Sequence, residues 1–195
     1  FLKEIRAICY EKNILLILDE VQCGVGRTGK LFAHEWVEIE PDIMMVAKGI
    51  GGGFPLGAVL AKENAASGMT AGTHGSTYGG NPLGCSIGLK VIDIISDPDF
   101  LYDVNRKGKL FHDGLMKLLK KNTSIFEEVR GKGLMLGLKC KVQNIDVVNA
   151  GYSNKLLTVP AGDNVVRLLP PLTISDKDIN EALNKLDGVM TALSQ

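Results

Sequence analysis

The sequence lacks a charge excess: 22 Lys and Arg stand against 22 Asp and Glu. That balance removes the electrostatic footprint expected of a nucleic-acid or anionic-membrane binder. No apolar run approaches the ~20 residues of a membrane span, and the first residues do not read as a secretory leader, so none is expected. Cysteine is sparse. Cys9, Cys23, Cys85 and Cys140 form no C-x-x-C pair and have no histidine at ligand spacing, which argues against a zinc site or a disulfide framework. They read as free, mostly buried thiols, with no metal and a reducing, cytoplasmic setting expected. The first residue is Phe1 rather than Met, already inside a helical pattern with Leu2, Ile5, Ile8 and Cys9 on one face. The expectation is a piece of a longer protein whose N-terminal part is absent.

What is present is ample for a core, with 45% hydrophobic and 23% charged residues over 195 positions. Periodicity predicts a helix over 2–12 ended by Asn13, a buried strand over 14–18, and a glycine loop over 24–29. A short helical stretch over 31–37 follows, then a strand over 43–46 after the Pro41-Asp42 turn, and a third strand over 57–61. Residues 67–81 form a long small-residue loop of the length that is commonly functional or disordered. Beyond Pro82 the pattern predicts helices over 83–95 and 100–121, broken at Asp97-Pro98. Strands over 126–130 and 134–140 hinge at Gly131-Lys132-Gly133. A helix over 147–155, strands over 156–159 and 165–168, and a helix over 176–193 capped by Ser175 complete the chain. The fold class is α/β, with a mainly parallel sheet in residues 1–95 and an α+β unit in residues 96–195.

Two strand ends carry the chemistry. Ile14-Leu-Leu-Ile-Leu18 runs into Asp19-Glu20, and Ile43-Met-Met-Val46 runs into Ala47-Lys48 before Gly51-Gly52-Gly53. Buried parallel strands of this kind bind ligands beyond their carboxyl ends. A lysine and a carboxylate on one rim are what pyridoxal 5'-phosphate requires, an amine for its aldehyde and an acid for its pyridinium nitrogen. The same pair also fits an ordinary surface lysine and a helix-capping aspartate. Residues 24–30 match G-x-x-x-x-G-K, but Leu31 leaves no hydroxyl for magnesium and the loop follows the acidic strand instead of preceding it, so a nucleotide phosphate site fails on mechanism. Ser76 and Thr77, between His74-Gly75 and Gly79-Gly80, suit a phosphate or a flexible surface loop. Arg167, in an otherwise apolar strand before Pro170-Pro171, suits a carboxylate of the protein or of a substrate.

Taken in order, several segments resemble the class III aminotransferases of the fold type I pyridoxal phosphate group. They are Leu15-Leu-Ile-Leu-Asp-Glu-Val-Gln22 with Gly24-x-Gly-Arg-Thr-Gly29, Pro41-Asp-Ile43, Ala47-Lys-Gly-Ile-Gly-Gly-Gly53, His74-Gly-Ser-Thr-Tyr-Gly-Gly-Asn-Pro82 and Val165-Val-Arg-Leu-Leu-Pro-Pro171. Residues 156–171 are most similar to the branch acting on N-acetylornithine and 2-oxoglutarate in arginine biosynthesis; ornithine and 4-aminobutyrate are the alternatives within the family. The resemblance implies that Lys48 is the Schiff-base lysine and proton carrier, and that Asp19 pairs with the pyridinium nitrogen. It further implies a cofactor-binding stretch through Glu20, with Val21 on the ring face and Gln22 at the 3-oxygen. Thr77 would reach the cofactor phosphate of a neighbouring subunit in a homodimer with shared sites, Ser76 would lie near the substrate, and Arg167 would bind its carboxylate. The family's main phosphate-binding turn, its ring-stacking aromatic and a second substrate arginine lie upstream of these motifs. Residues 1–95 are then expected to be the C-terminal part of the cofactor-binding large domain and residues 96–195 the small domain. A chain with these segments alone is expected to be inactive, and an inactive folding or assembly unit is the rival reading.

Overall fold

The helical spacing of Leu2, Ile5 and Ile8 is realised as α1 (Leu2–Glu11). Asn13 then takes a φ of 53°, the left-handed conformation that asparagine tolerates better than most residues, and reverses the chain. The one buried residue of α1 is Arg6. Its Nη1 donates to Asp42 Oδ2 at 2.6 Å, and the Leu16 N–H donates to the same oxygen at 2.7 Å. These contacts tie the helix to the start of the sheet. The computed structural model describes residues 1–193. They divide into two compact units, residues 1–101 and the residues from 102 onward.

In the first unit, β1 (Ile17–Asp19), β2 (Ile43–Val46) and β3 (Ala58–Ala61) form one sheet in that order. β1 runs parallel to β2 with Asp19 opposite Met45, and β2 runs antiparallel to β3. β1 starts later than residue 14, where the apolar run begins. A strand is defined by its partner, and β2 begins at Ile43, opposite Ile17. Ile14, Leu15 and Ile17 are exposed, as are all four residues of β3, so both outer strands present apolar surface. Two short 3-10 turns, Ala33–Val37 and Lys48–Gly51, and the one-turn α2 (Glu63–Ala66) punctuate the connections. The second turn and α2 have no apolar period of their own to announce them. α3 (Pro82–Ile95) opens with Pro82 at its first position and Asn81 as its cap, whose Oδ1 accepts from the Gly84 N–H at 2.8 Å.

α4 (Pro98–Lys121) leads into the second unit, where β4 (Phe126–Lys132), β5 (Met135–Cys140), α5 (Asn144–Ser153), β6 (Val159–Ala161), β7 (Val165–Leu168) and α6 (Asp176–Leu193) follow. The antiparallel sheet has the order β4-β5-β7-β6. Val104, Phe111 and Leu115 of α4 and Ile179, Leu186, Val189 and Met190 of α6 are buried, as are Leu136, Leu138, Val166 and Leu168 of the sheet. The β4–β5 turn is tighter than a three-residue glycine hinge, because Gly131 and Lys132 stay paired with Leu136 and Met135. β6 starts at 159 instead of 156. The chain is still leaving α5 there, with Lys155 at a φ of 56° and the Leu156 N–H bonded to Gly151 O at 2.9 Å. Asn164 stitches the unit: its Nδ2 donates to Cys140 O and Val142 O, and its Oδ1 accepts from the Asn144 N–H. Ser175 caps α6 as its sequence position predicts, its Oγ accepting from the Asp178 N–H at 3.1 Å.

Candidate active site

Parallel pairing of β1 and β2 brings both strands' carboxyl ends to one rim of the first unit. Asp19 closes β1, is exposed, and accepts a hydrogen bond from the Val21 N–H at 2.9 Å, which steers the turn that follows. Lys48 stands two residues past the end of β2 and is also exposed. Among the described residues neither side chain enters an ion pair or a bond to the other, so the amine and the acid both remain open to a ligand.

The backbone under Lys48 is unusual. Lys48 has a φ of 46°, a conformation that side-chain-bearing residues seldom adopt outside constrained sites. Val25, in the loop after β1, has a φ of 53°, a marked outlier for a β-branched residue. The two distortions meet: a Cβ placed on Gly49 would lie 3.2 Å from Val25 Cβ, and Val25 is 3% exposed. Gly52 then takes a φ of 55° where a Cβ would approach Val91 of α3 to 3.0 Å, so a larger residue there would be strained and would crowd α3. The glycines after Lys48 let the chain turn tightly onto α3 while holding the lysine at the rim.

Glu20 behaves differently from its neighbour. Its side chain is 2% exposed, and its carboxylate accepts from the Ala33 and His34 N–H groups, each at 2.9 Å, with His34 Nδ1 3.0 Å away. Cys23 Sγ donates to the same carboxylate at 3.3 Å, and burial beside Glu20 pushes that thiol up to about 12. The rest of the loop closes on Trp36, whose Nε1 donates to Thr28 Oγ1 at 3.2 Å. Val21 and Gln22 are half-buried between these anchors and Asp19.

Ser76 and Thr77 lie in the exposed stretch between α2 and α3. Among the described residues no hydrogen bond joins them to Asp19 or Lys48. Arg167 belongs to the second unit. It sits on β7 between Gly137 of β5 and Val159 of β6, half-buried, and lines a cavity of about 490 Å³ with Thr158, Pro170, Asp178 and Glu181. The structure therefore puts Asp19 and Lys48 on one rim with Val21 and Gln22 following Asp19, and turns Glu20 inward onto Ala33 and His34. It keeps Ser76 and Thr77 on an open loop of the same unit, and gives Arg167 a carboxylate-bearing cavity of its own.

Sequence reasoning overlooked Val25, His34 and the Arg6–Asp42 pair. An apolar residue between two glycines hinted at Val25. A second acid at a strand end signalled that one of Asp19 and Glu20 must turn inward and find donors. Nothing local marked His34, which lies 14 positions from its partner.

The family model of the class III aminotransferases matches residues 1–190. The acetylornithine aminotransferase of Rhodobacter capsulatus is 63% identical over 193 residues, covering 99% of this chain and 49% of that protein. The crystal structure of N-acetylornithine aminotransferase from Stenotrophomonas maltophilia superposes with a TM-score of 0.89 at 35% identity, over 100% of this chain and 51% of that one. The ornithine aminotransferase of Toxoplasma gondii gives a TM-score of 0.91 at 33% identity, over 99% and 47%. The chain thus spans about half the length of the relatives it matches. Enzymes of this kind are aminotransferases dependent on pyridoxal phosphate. With its family model matched almost end to end and a 63% identical relative, this chain belongs to the class III aminotransferases.

Proposed function

We propose that this chain is the C-terminal half of a cytoplasmic, homodimeric aminotransferase that moves an amino group between N-acetylornithine and 2-oxoglutarate in arginine biosynthesis. One observation carries the catalytic part: Asp19 and Lys48 share a rim at the ends of adjacent parallel strands, the lysine on a strained turn and the acid on the neighbouring strand. The name shared by relatives from 45% to 63% identity supports the substrate. The open amine and carboxylate fit a cofactor that has an aldehyde and a basic ring nitrogen.

Bound pyridoxal phosphate supplies an electron-accepting ring that eases removal of a donor's α-proton. Lys48 Nζ would hold the cofactor through its aldehyde and would serve as the base that carries a donor's α-proton. The Asp19 carboxylate holds a proton on the ring nitrogen, since a nearby opposite charge favours the ionised form. Val21 and Gln22 would flank the cofactor's ring, Thr77 would serve the phosphate of a partner subunit's cofactor, and Ser76 would lie toward the substrate. Arg167 grips the carboxylate common to donor and acceptor, which a reaction that seats two substrates in turn in one pocket requires.

The full-length enzyme, assayed with N-acetylornithine, ornithine and 4-aminobutyrate, tests the substrate assignment. The highest kcat/KM belongs to N-acetylornithine; a preference for either alternative overturns it. The 195-residue chain alone carries an incomplete site and binds pyridoxal phosphate weakly without turnover. The exposed apolar residues of β1 and β3 favour its association with further protein. Tight stoichiometric binding with transamination by this chain would show that no further half is needed.

A further inference from the structure

Residues 19 and 20 are consecutive at a strand end, so their side chains leave on opposite faces. Asp19 is exposed, whereas Glu20 is buried. A buried carboxylate is costly unless hydrogen bonds satisfy it, and this one is satisfied on both oxygens. Oε1 accepts from the His34 N–H at 2.9 Å with the His34 ring Nδ1 at 3.0 Å, and Oε2 accepts from the Ala33 N–H at 2.9 Å and the Cys23 thiol at 3.3 Å. The main chain of Glu20 is pinned as well: its N–H donates to Met45 O at 2.9 Å and its carbonyl accepts from the Gly24 N–H at 3.0 Å. Space is tight enough that a Cβ on Gly24 would come within 2.7 Å of that carbonyl oxygen and 3.2 Å of Oε2. The Asp19 carboxylate, in turn, is oriented by the Val21 N–H at 2.9 Å. The peptide between the two is the one Glu20 holds.

We propose that Glu20 is a positioning residue, not a contact to the cofactor: clasped by the 33–34 turn and by the His34 ring, it fixes the direction in which Asp19 leaves β1. The inference rests on the role of Asp19 given under Proposed function. Glu20 sets where the carboxylate points, and His34 closes the clasp from the far side of Glu20. Replacing Glu20 with Gln turns an amide N–H₂ toward one of the backbone donors, which frees the turn and lets Asp19 swing. Misplacement of about 1 Å at a reacting centre costs on the order of 100-fold in rate.

The test uses the full-length holoenzyme with Glu20→Gln, His34→Phe and Asp19→Asn. His34→Phe preserves a flat ring against Phe32, with which His34 is stacked at 5.9 Å, and removes both ring nitrogens, including the Nδ1 that faces Glu20. The expected result for Glu20→Gln is a kcat lowered on the order of 10-fold to 100-fold, with KM for both substrates little changed. The isotope effect with α-deuterated donor persists, and the bound cofactor's absorption band shifts. His34→Phe gives a smaller change of the same kind. A variant that loses melting temperature but keeps wild-type kcat and absorption has a merely structural residue, and that result overturns the proposal. If Glu20→Gln does not fold, His34→Phe decides on the same readouts. If Asp19→Asn itself leaves the rate unchanged, the reading of Asp19 fails instead, which separates the two failures.

Discussion

Asp19 and Lys48 leave the sheet at the carboxyl ends of two hydrogen-bonded parallel strands, Asp19 in register with Met45 three positions before the lysine. The acid therefore has a fixed place relative to the turn that carries the amine. Asp19→Ala in the full-length enzyme is expected to leave the cofactor attached and to slow single-turnover proton removal on the order of 100-fold to 1,000-fold, the usual loss when one preorganised charge is removed from an active site. Stopped-flow spectroscopy of the donor half-reaction measures this; an unchanged rate would show that the carboxylate has another purpose.

The Arg6–Asp42 pair predicts an acid limit to stability. The Leu16 N–H and the Arg6 guanidinium hold the Asp42 carboxyl below the usual carboxylate range. A group whose folded value is depressed contributes stability above its unfolded value, about 4, and that contribution is lost as pH falls through the folded value. Melting temperatures of wild type and Asp42→Asn should therefore differ most near neutral pH and converge in acid. A gap that stays constant down to about pH 2 is inconsistent with this linkage.

Much of this was legible in the sequence, for physical reasons. α4 and α6 announce themselves because a one-sided apolar stripe at helical spacing has few other uses, and Ser175 marks the start of α6 because its hydroxyl answers an orphan N–H. Asp19 and Lys48 were legible because apolar runs end abruptly in charge there. Less visible was the start of β1, which depends on a partner beginning at Ile43. The division of labour between Asp19 and Glu20 also stayed hidden, since the donors to Glu20 come from residues 33 and 34. Long-range hydrogen bonds to a buried acid leave no local periodicity.

The thiols predict a graded chemistry. Burial, with Glu20 alongside, pushes Cys23 up to about 12, and burial pushes Cys140 up to about 11. The thiolate is the reactive form, so the raised Cys23 thiol is the slower to react near neutral pH. Cys85 is exposed on α3. Brief alkylation near pH 8 followed by mass mapping should label Cys85 ahead of Cys23 and Cys140. Early labelling of Cys23 would contradict the raised thiol that its burial and its bond to Glu20 imply.

Arg167 offers a choice between two outcomes, because Asp178 and Glu181 line its cavity. As a substrate arginine, its truncation to Ala weakens both the amino donor and 2-oxoglutarate together, by roughly 2–5 kcal/mol for a desolvated charge pair. Lysine rescues poorly, since it lacks the planar fork. Half-reaction kinetics with each substrate, alongside thermal melts, decide the matter: near-normal affinities with a lowered melting temperature would assign Arg167 to the fold.

The most direct test is the identity of the lysine that holds the cofactor. The full-length enzyme is loaded with pyridoxal phosphate, reduced with borohydride, digested and mapped by mass spectrometry. The expected result is one pyridoxyl group, on the peptide carrying Lys48, and none on the Lys48→Ala variant. A pyridoxyl group on another lysine, or its persistence after Lys48→Ala, contradicts the assignment of this site.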